Sequence, residues 1–236
     1  MRIRTLALAT TAGAALLAAA ALPADAVPAR AQADAVPAQA REGSVTADAL
    51  LAKVTSCSQI SNGRYRTDEN TAATVPVCDK NGAVFWKADM DIDCDGQVTA
   101  ECNEDTDPWF QDQTAFPQSD GRPLNSETLP HVVVPSPSGI WDYAGAGVKG
   151  GSVAAVIYDN QVQYAVVGDT GPSKIIGEAS YATARALGID PDPATGGTGS
   201  GVTYIVFTNS RVSPIESHSA AVSLGEELAK RFLQNN

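Results

Sequence analysis

Apolar positions along this chain come in short runs, most of them of strand length and bounded by glycine, proline, asparagine or aspartate. The clearest pair is Gly151 to Tyr158 and Gln161 to Val167, both rich in β-branched residues and joined by Asp159-Asn160. Asp and Asn tolerate positive φ, so this spacing predicts a tight hairpin. Gly82 to Met90 reads as a strand that enters an acidic loop. His131 to Val134 reads as a short buried strand between two prolines, and Val202 to Phe207 as a further strand. Helical spacing is rarer. Thr46 can cap a short helix through Val54. Ala179 to Leu187 is helix-like, with Gly188 to close it. Ser217 to Leu233 places Ala221, Leu224, Leu228 and Phe232 on one face. The stretch from Asp105 to Gly121 is polar and is expected to be irregular, packed by its aromatics.

Five or more short strands with two or three helices, and no β-α-β alternation, predict a mainly β (α+β) fold. A small antiparallel or mixed barrel with helices on its outside is the natural architecture.

The first residues are set apart by composition. Arg2 and Arg4 precede an uncharged Ala/Leu-rich run, and Ala24-Asp25-Ala26 fits a cleavage site, so residues 1–26 read as a secretion signal. Residues 27–43 are rich in Ala and Pro and read as a linker or pro-segment. The catalytic or binding domain is expected over 44–236.

A net charge of -11 argues against nucleic acid or a membrane surface as partner. It favours a cationic or neutral one, and a monomer is expected. Four cysteines in an exported chain suggest two disulfides. Three pairings are possible; Cys57–Cys78 and Cys94–Cys102 each close a short local loop and are favoured. A zinc site is not expected, because no C-x-x-C pair occurs and the histidines are two, His131 and His218.

Candidate chemistry concentrates in Tyr164 to Ser180, YAVVGDTGPSKIIGEAS. Asp169 and Glu178 stand nine residues apart, each beside a glycine and each at the edge of an apolar element. This can aim two acids into one cleft. A second acidic row is Asp89, Asp91, Asp93 and Asp95. Asp91 to Gly96 matches the first half of a calcium loop, but the closing Glu101 falls one residue early. Alternate residues of an extended segment share a face, so Asp89, Asp91 and Asp93 are expected to line a cleft wall and attract a polycation. Trp86, Trp109 and Trp141 are candidates for stacking on sugar rings, with Trp86 preferred because it adjoins the acidic row. Serine hydrolysis is disfavoured by the absence of G-x-S-x-G. His131 is expected as a core or edge histidine and His218 as a surface one. The loop Thr195 to Gly201 lacks the Lys-Ser/Thr of a phosphate loop. No cofactor is expected.

The stretches VFWKADMDIDCDG (84–96), TDPWFQDQTAF (106–116), LPHVVVP (129–135) and VVGDTGPSKIIGEAS (166–180) resemble the fungal-type chitosanases, glycoside hydrolase family 75. The resemblance implies that Asp169 and Glu178 are the essential carboxylates. Thr170, in the same GDTG motif, joins Asp89, Asp91, Asp93 and Trp86 as expected substrate-binding residues. It implies a secreted enzyme that cleaves the β-1,4 links of chitosan inside the chain, with inversion, and glucosamine oligosaccharides as ligands. By likeness to inverting hydrolases of that shape it also implies a six-stranded, double-psi-like barrel.

Analogy with related barrels makes Glu178 the acid and Asp169 the base. One physical expectation runs the other way. A Glu178 at a helix N-terminus would be held ionised, and an Asp169 after an apolar strand would be pushed up. The rival functions are a non-catalytic, expansin-type carbohydrate-binding barrel and a hydrolase of another glycan such as peptidoglycan.

Overall fold

A computed structural model describes residues 42–236; the signal and nearly all of the linker lie outside the described residues. Eight strands and three helices follow in the order α1 (Ala47–Leu51), β1 (Ser58–Gln59), β2 (Cys78–Lys80), β3 (Ala83–Asp93), β4 (His131–Pro135), β5 (Val153–Tyr158), β6 (Gln161–Gly171), β7 (Glu178–Ser180), α2 (Tyr181–Ala186), β8 (Thr198–Phe207) and α3 (His218–Asn235). Six strands close a barrel in the order β3-β7-β4-β6-β5-β8, with β8 pairing back onto β3. β3/β7 and β4/β6 are parallel and the remaining barrel pairs antiparallel. This is the small mixed barrel expected from the residue pattern, with the six strands that the resemblance implies. β1 and β2 extend the sheet beyond the start of β3.

Both faces of the barrel strands are buried, which explains why β5 and β6 read as continuous apolar runs rather than alternating ones. Val84, Trp86, Val132, Val134, Ala154, Val156, Ala165, Val167, Ala179 and Tyr204 belong to one core, to which all six barrel strands contribute. The residues between them, such as Phe85, Ala155, Tyr164, Val166 and Ile205, form a second core with α1 and α3. Burying a large apolar side chain contributes roughly 1.5–3 kcal/mol, so the two-sided burial is what holds so small a barrel closed.

The Asp159-Asn160 hairpin forms as expected, with Tyr158 opposite Gln161 and Asp159 at φ 50°. Three boundaries differ. β3 continues past Met90 through Asp93, so Asp91 and Asp93 are strand residues rather than loop residues. β8 begins at Thr198, inside the glycine-rich loop. Helix α2 starts at Tyr181, capped by Ser180, and residues 178–180 are instead the short strand β7. The physical reason is pairing: β7 is held between β3 and β4, and that ladder overrides its helical pattern. Both favoured disulfides, Cys57–Cys78 and Cys94–Cys102, are present.

Candidate active site

The two parallel pairings bring the acids together. Asp91 lies opposite Glu178 and Asp93 opposite Ser180 in the β3/β7 register. On the other side of Glu178 lies the end of β6. A side chain on Gly171 would begin in space that the Glu178 Oε2 holds, so the glycine is what admits this carboxyl. Gly177 serves Asp89 in the same way and at φ 122°, a conformation that only glycine adopts freely. Asp169 and Gly171 are two residues apart on β6 and share a face. The Glu178 carboxyl thus occupies the next side-chain position along the strand from Asp169.

Two backbone N–H groups hold Asp169: Ala115 N and Thr170 N donate to its Oδ1 at 2.8 and 2.6 Å. Asp93 accepts from Asp95 N at 2.8 Å, and Asp95 accepts from Gln111 N at 2.6 Å. The irregular stretch before Gly121 is therefore tied to the acidic end of β3, beside the Cys94–Cys102 bridge. Among these acids, Asp93, Asp95 and Asp169 bring one oxygen each within 4.8 Å of the others. A cation would fit that spacing, but Oδ1 of Asp169 is already taken by two N–H donors, and nothing besides the acids marks the spot. The calcium-loop pattern is not realised as such, since Asp91 turns to Glu178 rather than to this group.

Burial and neighbouring carboxylates raise Asp89, Asp91, Asp95, Asp169 and Glu178. Glu178 is pushed up to about 8, by desolvation first and then by Asp93, Asp91, Asp95 and Asp169. Asp169 is pushed up to about 6 by desolvation and Asp93, against the pull of its two N–H donors. Desolvation with a neighbouring carboxylate likewise brings Asp89 and Asp95 to about 7. Two unit charges 4 Å apart repel by about 4 kcal/mol at an effective dielectric of 20, so such a group cannot all be ionised at neutral pH. The expectation that a helix end keeps Glu178 charged falls with β7, because the helix begins three residues later.

The remaining predicted residues divide. Asp91 is exposed opposite Glu178 and Asp93 is half-buried, the two sharing one face of β3. Asp89 is buried at 6% exposure with Oδ1 unpartnered, so it underlies the cleft rather than lining an open wall. Thr170 contributes its backbone N–H to Asp169. Trp86 is a correction: at 1% exposure it stacks on Tyr204 and meets Trp141 edge-on, as core. Trp141 is buried too, whereas Trp109 is 83% exposed. The Trp109 backbone N–H donates to Asp107 Oδ1 at 2.8 Å, and Gln111, two residues on, donates its own to Asp95, so the segment that carries the exposed ring is tied to the acidic group.

Several participants were not singled out from the sequence. His131 is fully buried, but its Nε2 meets Asp93 Oδ2 at 3.1 Å. Asp68 adds its charge to those of Asp89 and Asp91 from an earlier segment. That segment touches the site's own connection: Arg66 N donates to Lys174 O, and Ile176 N to Arg66 O, both at 3.0 Å. The bond pair braces the turn between Asp169 and Glu178. The presence of His131 in LPHVVVP and of Asp95 in the acidic row were signals, but which strands would meet was not legible.

The family described as fungal chitosanase of glycosyl hydrolase group 75 matches residues 90–233, from the acidic half of β3 to α3. Endo-chitosanase C of Aspergillus oryzae is 36% identical over 135 residues, covering 55% of this chain and 33% of the relative. The protein of the same name from strain RIB 40 is 34% identical over 139 residues, with the same coverage. The chain thus spans about a third of the length of these relatives. With Asp169, Glu178 and the acidic end of β3 all inside the matched segment, the chain belongs to glycosyl hydrolase group 75, the fungal chitosanase family.

Proposed function

We propose that this protein hydrolyses the β-1,4 links of chitosan within the chain and with inversion, Glu178 acting as general acid and Asp169 as general base. The observation that carries the reading is the placement of Glu178 over Gly171, one side-chain step along β6 from Asp169. Two residues of a strand span about 6.6–6.8 Å. Inverting enzymes separate their carboxyls by roughly 6.5–9.5 Å, leaving room for a water, and retaining ones by about 5 Å.

The electrostatics supports the same division of labour. Glu178, at about 8, holds its proton at neutral pH and can give it to the leaving glycosidic oxygen. Asp169, lower at about 6 and with one oxygen held by two N–H groups, is ionised there. It takes a proton from the water that attacks the anomeric carbon from the opposite face as the C–O bond breaks. Around the pair, Asp91, Asp93 and Asp95 offer negative charge to a polymer that carries one ammonium per deacetylated sugar. The two disulfides suit an oxidising, extracellular setting. Among the described residues no helix is long and apolar enough to cross a membrane.

Product analysis tests the reading. Deacetylated chitosan should yield short oligosaccharides, with viscosity falling well ahead of reducing-end release, while chitin, carboxymethyl cellulose and peptidoglycan yield little. Absence of products from chitosan would leave a binding barrel; an equal or faster rate on peptidoglycan would assign another glycan.

A further inference from the structure

His131 has no role in the two-carboxylate scheme, yet among the described residues it is the basic side chain that pairs with one of these acids. Of the ion pairs among the described residues, only His131–Asp93 touches this group; the others lie on the surface or at the start of the domain. Both ring nitrogens face acceptors. Nδ1 lies 3.2 Å from the Leu129 carbonyl and Nε2 lies 3.1 Å from Asp93 Oδ2. A carbonyl can only accept, so Nδ1 carries a hydrogen if that contact is a bond. Nε2 then needs a second hydrogen to bond an ionised Asp93. Two arrangements satisfy both contacts: an imidazolium facing an ionised Asp93, and a neutral ring whose Nε2 accepts from a protonated Asp93; they differ in whether Nε2 carries the hydrogen.

The fold makes room for this ring. A side chain on Gly168 would begin 2.7 Å from His131 Cβ and Cγ and 2.6 Å from Leu124 Cδ1. Gly168 is also where the β4/β6 register shifts, between Val132/Val167 and Val133/Asp169. A bulge of this kind re-aims the strand. The same glycine therefore admits His131 and turns Asp169 toward the cleft. Facing Asp169 are Asp93 and Asp95 from β3 and the turn after it, Glu178 from β7, and His131 from β4 behind Asp93. Asp107 adds its negative charge beside Asp93.

We propose that His131 is the positive counter-group of this acidic cleft: paired with Asp93, it keeps Asp169 in its charged, water-activating state without touching substrate. The proposal rests on the reading of Asp169 as the base. It also accounts for how three close carboxylates can sit beside a base that must stay ionised, since His131 with Asp93 is neutral as a pair. The His131 charge is the one side-chain charge that lowers Asp169, opposing the rise caused by burial and Asp93.

The test is the pH profile of kcat/KM on chitosan for His131→Gln and for the double variant His131→Gln/Asp93→Asn. Removing the cation alone leaves Asp93 uncompensated, so the acid limb should move up by about one pH unit. Below that limb, activity falls about tenfold relative to wild type. The double variant restores a neutral pair, and the limb should return. The amine of the substrate titrates identically in every assay and cancels. A structural role would give no pH shift and no rescue. An unmoved limb in His131→Gln, with Asp169→Asn inactive, overturns the proposal alone; an active Asp169→Asn overturns the reading beneath it. Should His131→Gln fail to fold, ¹⁵N NMR of wild-type protein labelled at histidine decides. The two histidines are told apart with His218→Gln. Both ring nitrogens of His131 should carry hydrogen at the working pH, and a bare Nε2 there overturns the proposal.

Discussion

Glu178 occupies the place where a side chain of Gly171 would stand. The Glu178 carboxyl is therefore positioned by an absence on β6, and the pitch of that strand sets its distance from Asp169. A methyl group at position 171 meets the far end of a side chain rather than backbone, so Gly171→Ala should fold. Its cost should fall on the chemical step. Displacing a catalytic group by about 1 Å can cost on the order of a hundredfold. We expect kcat for Gly171→Ala to drop by about that factor with KM within a few-fold, read from initial rates on chitosan. A wild-type kcat would show that the carboxyl acts from elsewhere.

Removing either acid should be more severe. On the proposed roles, Glu178→Gln and Asp169→Asn should each delete a proton transfer, which contributes roughly 10²–10⁴-fold. Both variants should retain the native circular dichroism spectrum. A variant with more than about a tenth of wild-type turnover would not be missing a principal catalyst.

The raised carboxyls fix the pH dependence of stability. An acid whose pKa is higher in the folded chain than in the unfolded one favours folding in its protonated form. Its contribution is complete below the unfolded value and is lost as pH rises through the folded value. Glu178 goes from an ordinary 4.5 to about 8, with Asp89 and Asp95 at about 7 from 3.8. Melting temperature should therefore decline from about pH 4 to about pH 8. Glu178→Gln, which cannot ionise, should flatten that decline and melt higher than wild type at pH 8. An unchanged slope would mean that Glu178 is already ionised at neutral pH.

Substrate capture should depend on the groups that solvent and polymer can reach. Asp91→Asn should raise KM more than it lowers kcat, and salt should narrow the gap, since an exposed ion pair contributes about 0.2–1 kcal/mol and is screened. Trp109→Ala should also raise KM, whereas Trp86, packed between Tyr204 and Trp141, governs stability instead. If Trp109→Ala binds glucosamine oligomers like wild type, the exposed ring is not a platform. A chelator should leave rate and melting temperature unchanged; inactivation would instead assign a cation to Asp93, Asp95 and Asp169.

The strands, the hairpin and both disulfides were legible because each is a local pattern. GDTG carries Asp169 together with Gly171, which makes space for the Glu178 of IGEAS, while Gly177 makes space for Asp89. Trp86 misled because an aromatic beside an acidic row says nothing about which face is buried, and β3 buries both faces along most of its length. β7 read as helix because three residues carry no period of their own; its strand character comes from β3 and β4 on either side. His131 and Asp68 escaped for a related reason. Their chemistry depends on contacts across 38 residues to Asp93 and on a segment that precedes the family match.

The most direct measurement is ¹H NMR of chitosan oligomers during the first turnovers, before mutarotation, read at the nascent reducing end. With Glu178 and Asp169 one side-chain step apart along β6 and water between them, the first signal should be the α-anomer. A β-anomer appearing first would mean a retaining, covalent route, and would contradict the account.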